Sequence, residues 1–243
     1  MKKSNRGQQE FQCLQKIMQF IPNSHPIRLY LDSAKPNKHL SEFPDFIFEQ
    51  GFIEHFQVTS AKESSKGDNN RISEVNFQKE CQEKFDLDKK EFLNSRPCHG
   101  TVSTEILEMN CPEYSYKFFI DSFKRNFEKH IHSLDKYNGN KSIGILLVEH
   151  TGARITVLKN RAFCKFYKIE YDKMLLTYLY SFADKLKYLI CFWGDTQGDL
   201  TGKMSCEIIE IRKIPELINK VPKDISFSVG QYKNLKLNIF LDL

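Results

Sequence analysis

The sequence contains no apolar run close to the ~18 residues that a membrane-spanning helix needs. Its first seven residues are basic, but the segment behind them is amphipathic and rich in glutamine, unlike the apolar stretch of a signal peptide. The hydrophobic share of 40% is typical of a globular protein that can bury a core. We therefore expect a soluble, cytoplasmic protein that does not enter the membrane.

Paired cysteine motifs are also missing. No two cysteines have the CxxC spacing of a zinc knuckle or a thioredoxin-like site, since the seven are scattered at positions 13, 81, 98, 111, 164, 191 and 206. Cys98, His99 and Cys111 could share a metal ion, but no fourth ligand follows at a regular spacing. We interpret the cysteines as small buried hydrophobic side chains.

Common catalytic signatures are absent as well, including the Gly-x-Ser-x-Gly elbow of hydrolases. Residues 198–203 resemble a phosphate-binding loop, but the loop is one residue short and Met204 stands where a magnesium-binding hydroxyl is needed. His130 and His132 flank the apolar stripe of a predicted helix, and we interpret both as residues of the helix surface.

The net charge of +5 is concentrated near the N-terminus. The first forty residues contain seven basic and two acidic residues, so the rest of the chain is balanced. A basic terminus on a neutral body suits an anionic polymer such as nucleic acid, although a solvated chain end has the same composition.

Apolar periodicity predicts an α/β fold. Spacings of three and four residues predict helices over residues 8–21, 116–134 and 170–187. Apolar or alternating runs predict strands over 27–32, 143–148, 188–193, 204–211 and 235–241, with 154–158 as an antiparallel neighbour of 143–148. Residues 60–112 are polar and weakly periodic, which indicates an insertion with one helix near 75–85. We predict one domain, residues 1–243, in which helices flank a mixed central sheet that joins an antiparallel meander to helix-linked buried strands.

The meander includes a predicted hairpin over residues 43–59 with an acid in each strand. If Gln50 and Gly51 form a two-residue loop, Asp45 and Glu54 lie on the same face as diagonal neighbours, about 7–8 Å apart at the backbone. Two carboxylates at that separation can hold a hard divalent cation, which activates water and stabilises the charge that develops on a phosphate during hydrolysis.

This hairpin resembles the catalytic hairpin of the PD-(D/E)xK nuclease superfamily, in which Pro-Asp opens one strand and an acid-x-lysine follows on the next. Pro44-Asp45 matches the first element and Glu54 the acid. The amino-acid sequence of residues 43–60 is also similar to that of uncharacterised low-GC bacterial proteins associated with restriction and phage defence.

The resemblance implies a restriction-endonuclease-like fold and a Mg²⁺-dependent (or Mn²⁺-dependent) endonuclease that acts on nucleic acid, with DNA preferred as the substrate and RNA left open. Asp45 and Glu54 would hold the metal. The sequence departs from the family at Phe56, where the motif has its lysine. Gln57 could replace that lysine if a bulge turned it towards Glu54, and Lys62 or Lys66 could reach back from the insertion. We choose Gln57 and Lys66 as the further catalytic residues.

Two other interpretations stay open. The same fold could serve as a catalytically inactive binding or scaffold subunit of a defence complex, which Phe56 favours. The chain could also be an α/β protein unrelated to nucleases, in which Asp45 only forms a turn. The sequence leaves a homodimer and partner subunits equally open.

Overall fold

A computed structural model describes residues 6–38, 42–62, 68–95, 99–109, 112–151, 153–193 and 205–240. Within these residues the chain forms six α-helices and ten strands. The helices are α1 (Arg6–Phe20), α2 (Arg28–Ser33), α3 (Asp68–Asn94), α4 (Tyr116–Lys136), α5 (Lys173–Tyr180) and α6 (Ile214–Ile218). The strands are β1 (Lys35–Pro36), β2 (Phe46–Phe48), β3 (Gly51–Thr59), β4 (His99–Met109), β5 (Ile143–Thr151), β6 (Arg154–Lys159), β7 (Ala162–Phe166), β8 (Tyr188–Trp193), β9 (Ser205–Glu210) and β10 (Ile225–Phe240).

The central sheet has six strands in the order β1-β2-β3-β5-β8-β9. Strands β1, β2 and β3 form an antiparallel meander, β5 and β8 run parallel to β3, and β9 returns antiparallel. The connection from β3 to β5 contains α3, β4 and α4, and α4 packs against β3 on its way to β5. The predicted mixed sheet, with its hairpin and its strands over the apolar runs 143–148 and 188–193, is confirmed.

Helices cover both faces of this sheet because β5 and β8 are apolar at successive positions. Helices α1 and α2 pack on one face, where the core contains Leu14, Ile17 and Leu31. Helices α4 and α5 pack on the other face with the side chains Phe119, Phe123, Phe127, Leu175 and Leu179. We refer to these as the α1 face and the α4 face.

A second sheet has four strands in the order β4-β10-β6-β7. Its residues Ile155, Val157 and Val229 join the core of the α4 face. Strand β6, which we expected beside β5, pairs instead with β10 and β7. The segment predicted as an insertion supplies α3 and β4, and β4 pairs with β10 from His99 to Met109.

Two other predictions are wrong for local reasons. Residues 27–32, predicted as a strand, belong mostly to helix α2. Ile27 and Leu31 are buried at the four-residue spacing of a helix, whereas Leu29 between them is 74% exposed. The helix predicted over 170–187 is shorter. Asp172 caps α5 by accepting the N–H of Leu175, so the helix begins there, and it ends at Tyr180.

No helix among the described residues is long and apolar enough to cross a bilayer.

Candidate active site on strand β3

Strand β3 places two buried polar residues in the middle of the central sheet. Successive side chains of a strand point to opposite faces. Phe52 and Phe56 join the core of the α4 face and Ile53 joins that of the α1 face. Glu54 therefore faces α4, where it is 6% exposed, and His55 faces α1, where it is 8% exposed.

Asp45 lies opposite Glu54, directly before β2 begins. The backbone N–H of Asp45 donates to Glu54 Oε2 at 2.9 Å. In return, Asp45 Oδ2 accepts the backbone N–H of His55 at 2.8 Å. The carboxylate of Asp45 thus takes the place of a backbone pairing partner for β3, directly before β2 begins.

The hairpin register differs from the predicted one. The two-residue loop is Glu49-Gln50, with Phe48 opposite Gly51 and Phe46 opposite Ile53. The loop has the predicted length but sits one position earlier, so each partner changes by two residues and the faces are kept. Asp45 and Glu54 are brought together as direct neighbours and not as diagonal ones.

His130 of α4 completes the group around Glu54. Its Nδ1 lies 2.6 Å from Glu54 Oε1, and its ring stacks on Phe56 with centroids 4.9 Å apart. The side chain is only 13% exposed, so the interpretation of His130 as a surface residue is wrong. The sequence did carry a signal, because position 130 lies three residues after Phe127 and four before Leu134, at the edge of the apolar stripe.

The electrostatics of the pair favour a bound cation. Burial, reinforced by the neighbouring charge of Glu54, raises the pKa of Asp45 from 3.8 to about 6. Two neighbouring carboxylates repel each other when both are ionised, and a divalent cation between them removes that repulsion. Their oxygen atoms are the ligands that Mg²⁺ and Mn²⁺ prefer.

An open cleft of about 260 Å³ borders this group, lined by Gln9, Glu10, His55, Phe56, Gln57, Asn126 and His130. Strand β3 has nine residues and β2 only three, so beyond Asp45 one edge of β3 has no neighbouring strand in the part of the chain that the structure describes. Helices α1 and α4 stand on either side of that edge and form the walls. Glu10, which the sequence did not single out, also shares a smaller hollow with Asp45.

Side chains, and not a further strand, bind the backbone of this uncovered edge. Three groups are satisfied in this way: the N–H of His55 by Asp45, the C=O of Gln57 by Asn126 at 3.2 Å, and the N–H of Thr59 by Ser122 at 3.3 Å.

The other predicted catalytic residues do not gather at the carboxylate pair. Gln57 lies on the α1 face, where its Nε2 donates to Glu149 Oε2 at 2.8 Å. Strand β3 pairs with β5 in unbroken register from Gly51 to Thr59, so it lacks the bulge that would turn Gln57 towards Glu54. Lys62 is exposed beyond the end of β3, and Lys66 lies outside the described residues.

No family model matches the chain, and neither the curated proteins nor the solved structures contain a significant match.

Proposed function

We propose that the chain is a metal-dependent nuclease with a restriction-endonuclease-like fold that hydrolyses phosphodiester bonds in DNA, as part of bacterial restriction or phage defence. The observation that carries the proposal is the direct opposition of Asp45 and Glu54, with the pKa of Asp45 raised to about 6. The arrangement of a meander, a crossover helix and a parallel strand supports the fold assignment.

Asp45 and Glu54 hold the cation in this proposal. When bound, Mg²⁺ (or Mn²⁺) supplies charge stabilisation for the phosphate and lowers the pKa of water. Glu54 also orients His130, since Glu54 Oε1 lies 2.6 Å from Nδ1 of that ring. The ring borders the cleft and is fixed by stacking on Phe56, so its other nitrogen can take a proton from the attacking water. His130 would thus take the part of the motif lysine that Phe56 replaces.

Plasmid cleavage with Mg²⁺ or Mn²⁺ tests the proposal. We expect wild-type protein to cut, Asp45→Asn to be inactive, and His130→Ala to lose about 100-fold or more in rate, which is typical of a lost general base. His132→Ala is the matched control, because it removes an exposed imidazole from the same helix and should leave the rate unchanged. Equal rates for the two histidine variants would contradict the role of His130.

A catalytically inactive binding subunit is the second candidate. Two contacts favour it: Phe56 packs on His130 at the lysine position of the motif, and Gln57 is held by Glu149. Binding without cleavage would support this candidate. Affinity for DNA should then fall steeply with salt, and reversing the charges of Lys2, Lys3, Arg6 and Lys16 should flatten that dependence.

A further inference from the structure

A second group of ligand-type side chains lies on the α1 face of β3. Cys13 comes from α1, His55 from β3 and Glu149 from β5. Sγ, an imidazole nitrogen and a carboxylate oxygen of these residues all lie within 4.8 Å of one another. Glu149 is the register partner of Gln57, and α1 crosses the sheet above them.

The imidazole of His55 points to a missing ligand. Its Nε2 is buried and has no hydrogen-bond partner among the residues that the structure describes. Glu149 Oε2 lies 3.3 Å away, at ion-pair distance but outside hydrogen-bond geometry. Buried polar atoms are nearly always hydrogen-bonded, and those that are not often lie where an ion or water binds.

The spacing of these atoms suits a tetrahedral transition-metal ion. Zinc bonds of about 2.0 Å to nitrogen or oxygen and about 2.3 Å to sulfur separate neighbouring ligands by about 3.3–3.6 Å. The distance between His55 Nε2 and Glu149 Oε2 already has this value. Cys13 Sγ, within 4.8 Å, needs at most a shift of about 1 Å to complete three vertices.

We propose that Cys13, His55 and Glu149 bind a divalent transition-metal ion of the Zn²⁺ class, at a site separate from the carboxylate pair. Thiolate, imidazole and carboxylate together are a zinc donor set, whereas Mg²⁺ and Ca²⁺ take oxygen ligands. The proposal does not depend on nuclease activity.

The surroundings of the three residues fit this role. Gln57 donates to Glu149 Oε2 and fixes the carboxylate, as residues beyond the direct ligands commonly do in metal sites. Burial disfavours the charge of Glu149, but His55 and the Gln57 amide outweigh it and lower its pKa, so Glu149 is ionised. Burial raises the pKa of the Cys13 thiol, so the metal must displace a proton to solvent.

The fourth ligand would come from the side of the cleft in this proposal. His55 and Gln57 both line the cleft between α1 and α4, although Nε2 of His55 is itself buried. The three ligands come from three elements, and the ion would therefore fasten α1 to the sheet.

Cobalt binding to the full chain tests the site, because Co²⁺ substitutes for Zn²⁺ and a cobalt–thiolate bond gives a charge-transfer absorption. We expect one equivalent of Co²⁺ to give this band and Zn²⁺ to remove it. Cys13→Ser should abolish the band and weaken Zn²⁺ binding at least about 100-fold. Cys81→Ser is the matched control, since Cys81 is, like Cys13, a fully buried cysteine on a helix. Cys206 is unsuitable as a control because it lies close to Cys13.

Wild-type protein without the band, or equal bands in the two cysteine variants, would overturn the proposal. If Cys13→Ser does not fold, Glu149→Gln serves instead: it keeps an oxygen for Gln57, and unchanged Zn²⁺ affinity would overturn the proposal equally. Asp45→Asn should keep the cobalt–thiolate band. The loss of DNA cleavage in Asp45→Asn therefore tests the nuclease proposal alone, while the cobalt–thiolate band tests the site of Cys13, His55 and Glu149.

Discussion

Replacing Asp45 by asparagine should stabilise the metal-free protein at neutral pH. In the folded state the pKa of this carboxyl is raised to about 6 by burial and by Glu54, against 3.8 for the free group. The folded state therefore favours the protonated form. The stability that this preference supplies is complete below pH 3.8 and is lost as the pH rises through about 6.

The size of the effect follows from the same shift. A rise of the pKa from 3.8 to about 6 corresponds to about 3 kcal/mol at pH 7.5. Because Asp45 is only partly buried, solvent screening reduces this to about 1–2 kcal/mol. Asparagine is always neutral and keeps an oxygen that can accept the N–H of His55. We expect Asp45→Asn to gain about 1–2 kcal/mol at pH 7.5 and close to nothing at pH 4.

Urea denaturation at the two pH values, with and without Mg²⁺, measures this gain. Magnesium should stabilise wild-type protein and leave the variant unchanged, because the variant has lost one of the two charges that would bind the ion. A variant that is less stable than wild type at pH 7.5 without metal would refute the reasoning. A residue that destabilises the fold and yet binds the cation is what a functional site is expected to contain.

Three further substitutions test the fold around the site. Burial raises the pKa of Glu207 from 4.5 to about 7, so the stability that its protonated form gives to the fold is complete below pH 4.5 and is lost as the pH rises through 7. Glu207→Gln should therefore flatten the dependence of the unfolding free energy on pH over this range, and an unchanged dependence would contradict the prediction. Gly51→Ala would place a Cβ 1.9 Å from the backbone oxygen of Ile143, so we expect it to separate β3 from β5 and lower the melting temperature strongly, unlike an alanine substitution at exposed Gln50. Phe123→Ala removes a fully buried ring and should lower the free energy of unfolding by about 3–5 kcal/mol; a loss below about 1 kcal/mol would show that α4 does not pack as described.

The central sheet could be predicted because its strands are either apolar throughout or flank an unambiguous turn. Strands β5 and β8 have no polar residue over most of their length, and α4 has a regular apolar stripe that includes Phe123 and Phe127. Such local patterns predict strands and helices well because the apolar side chains that form them are the ones buried in the core. The loop of the hairpin was predicted one position too late, which changed each register partner by two residues, because Glu49-Gln50 and Gln50-Gly51 can both form a two-residue loop.

The second sheet could not be predicted because its pairing is not local. Strand β4 pairs with β10, more than a hundred residues later in the chain. Neither segment has a sequence pattern that indicates which strand it pairs with. Helix α3 gives little periodic signal because, from residue 75 onwards, Phe77 and Cys81 are buried among many exposed residues. The candidate metal cluster shows the same limit. Cys13, His55 and Glu149 have no motif spacing and meet only through the packing of α1 on the sheet.

The uncovered edge of β3 has a consequence for how the protein behaves in concentrated solution. An extended segment with unpaired N–H and C=O groups is a template on which another chain can add a strand, and such additions lead to aggregation. Here the side chains of Asp45, Asn126 and Ser122 occupy the pairing groups, so a cleft can stay open beside the strand without recruiting a foreign one. Removing Asn126 and Ser122 together should therefore reduce solubility more than it reduces stability.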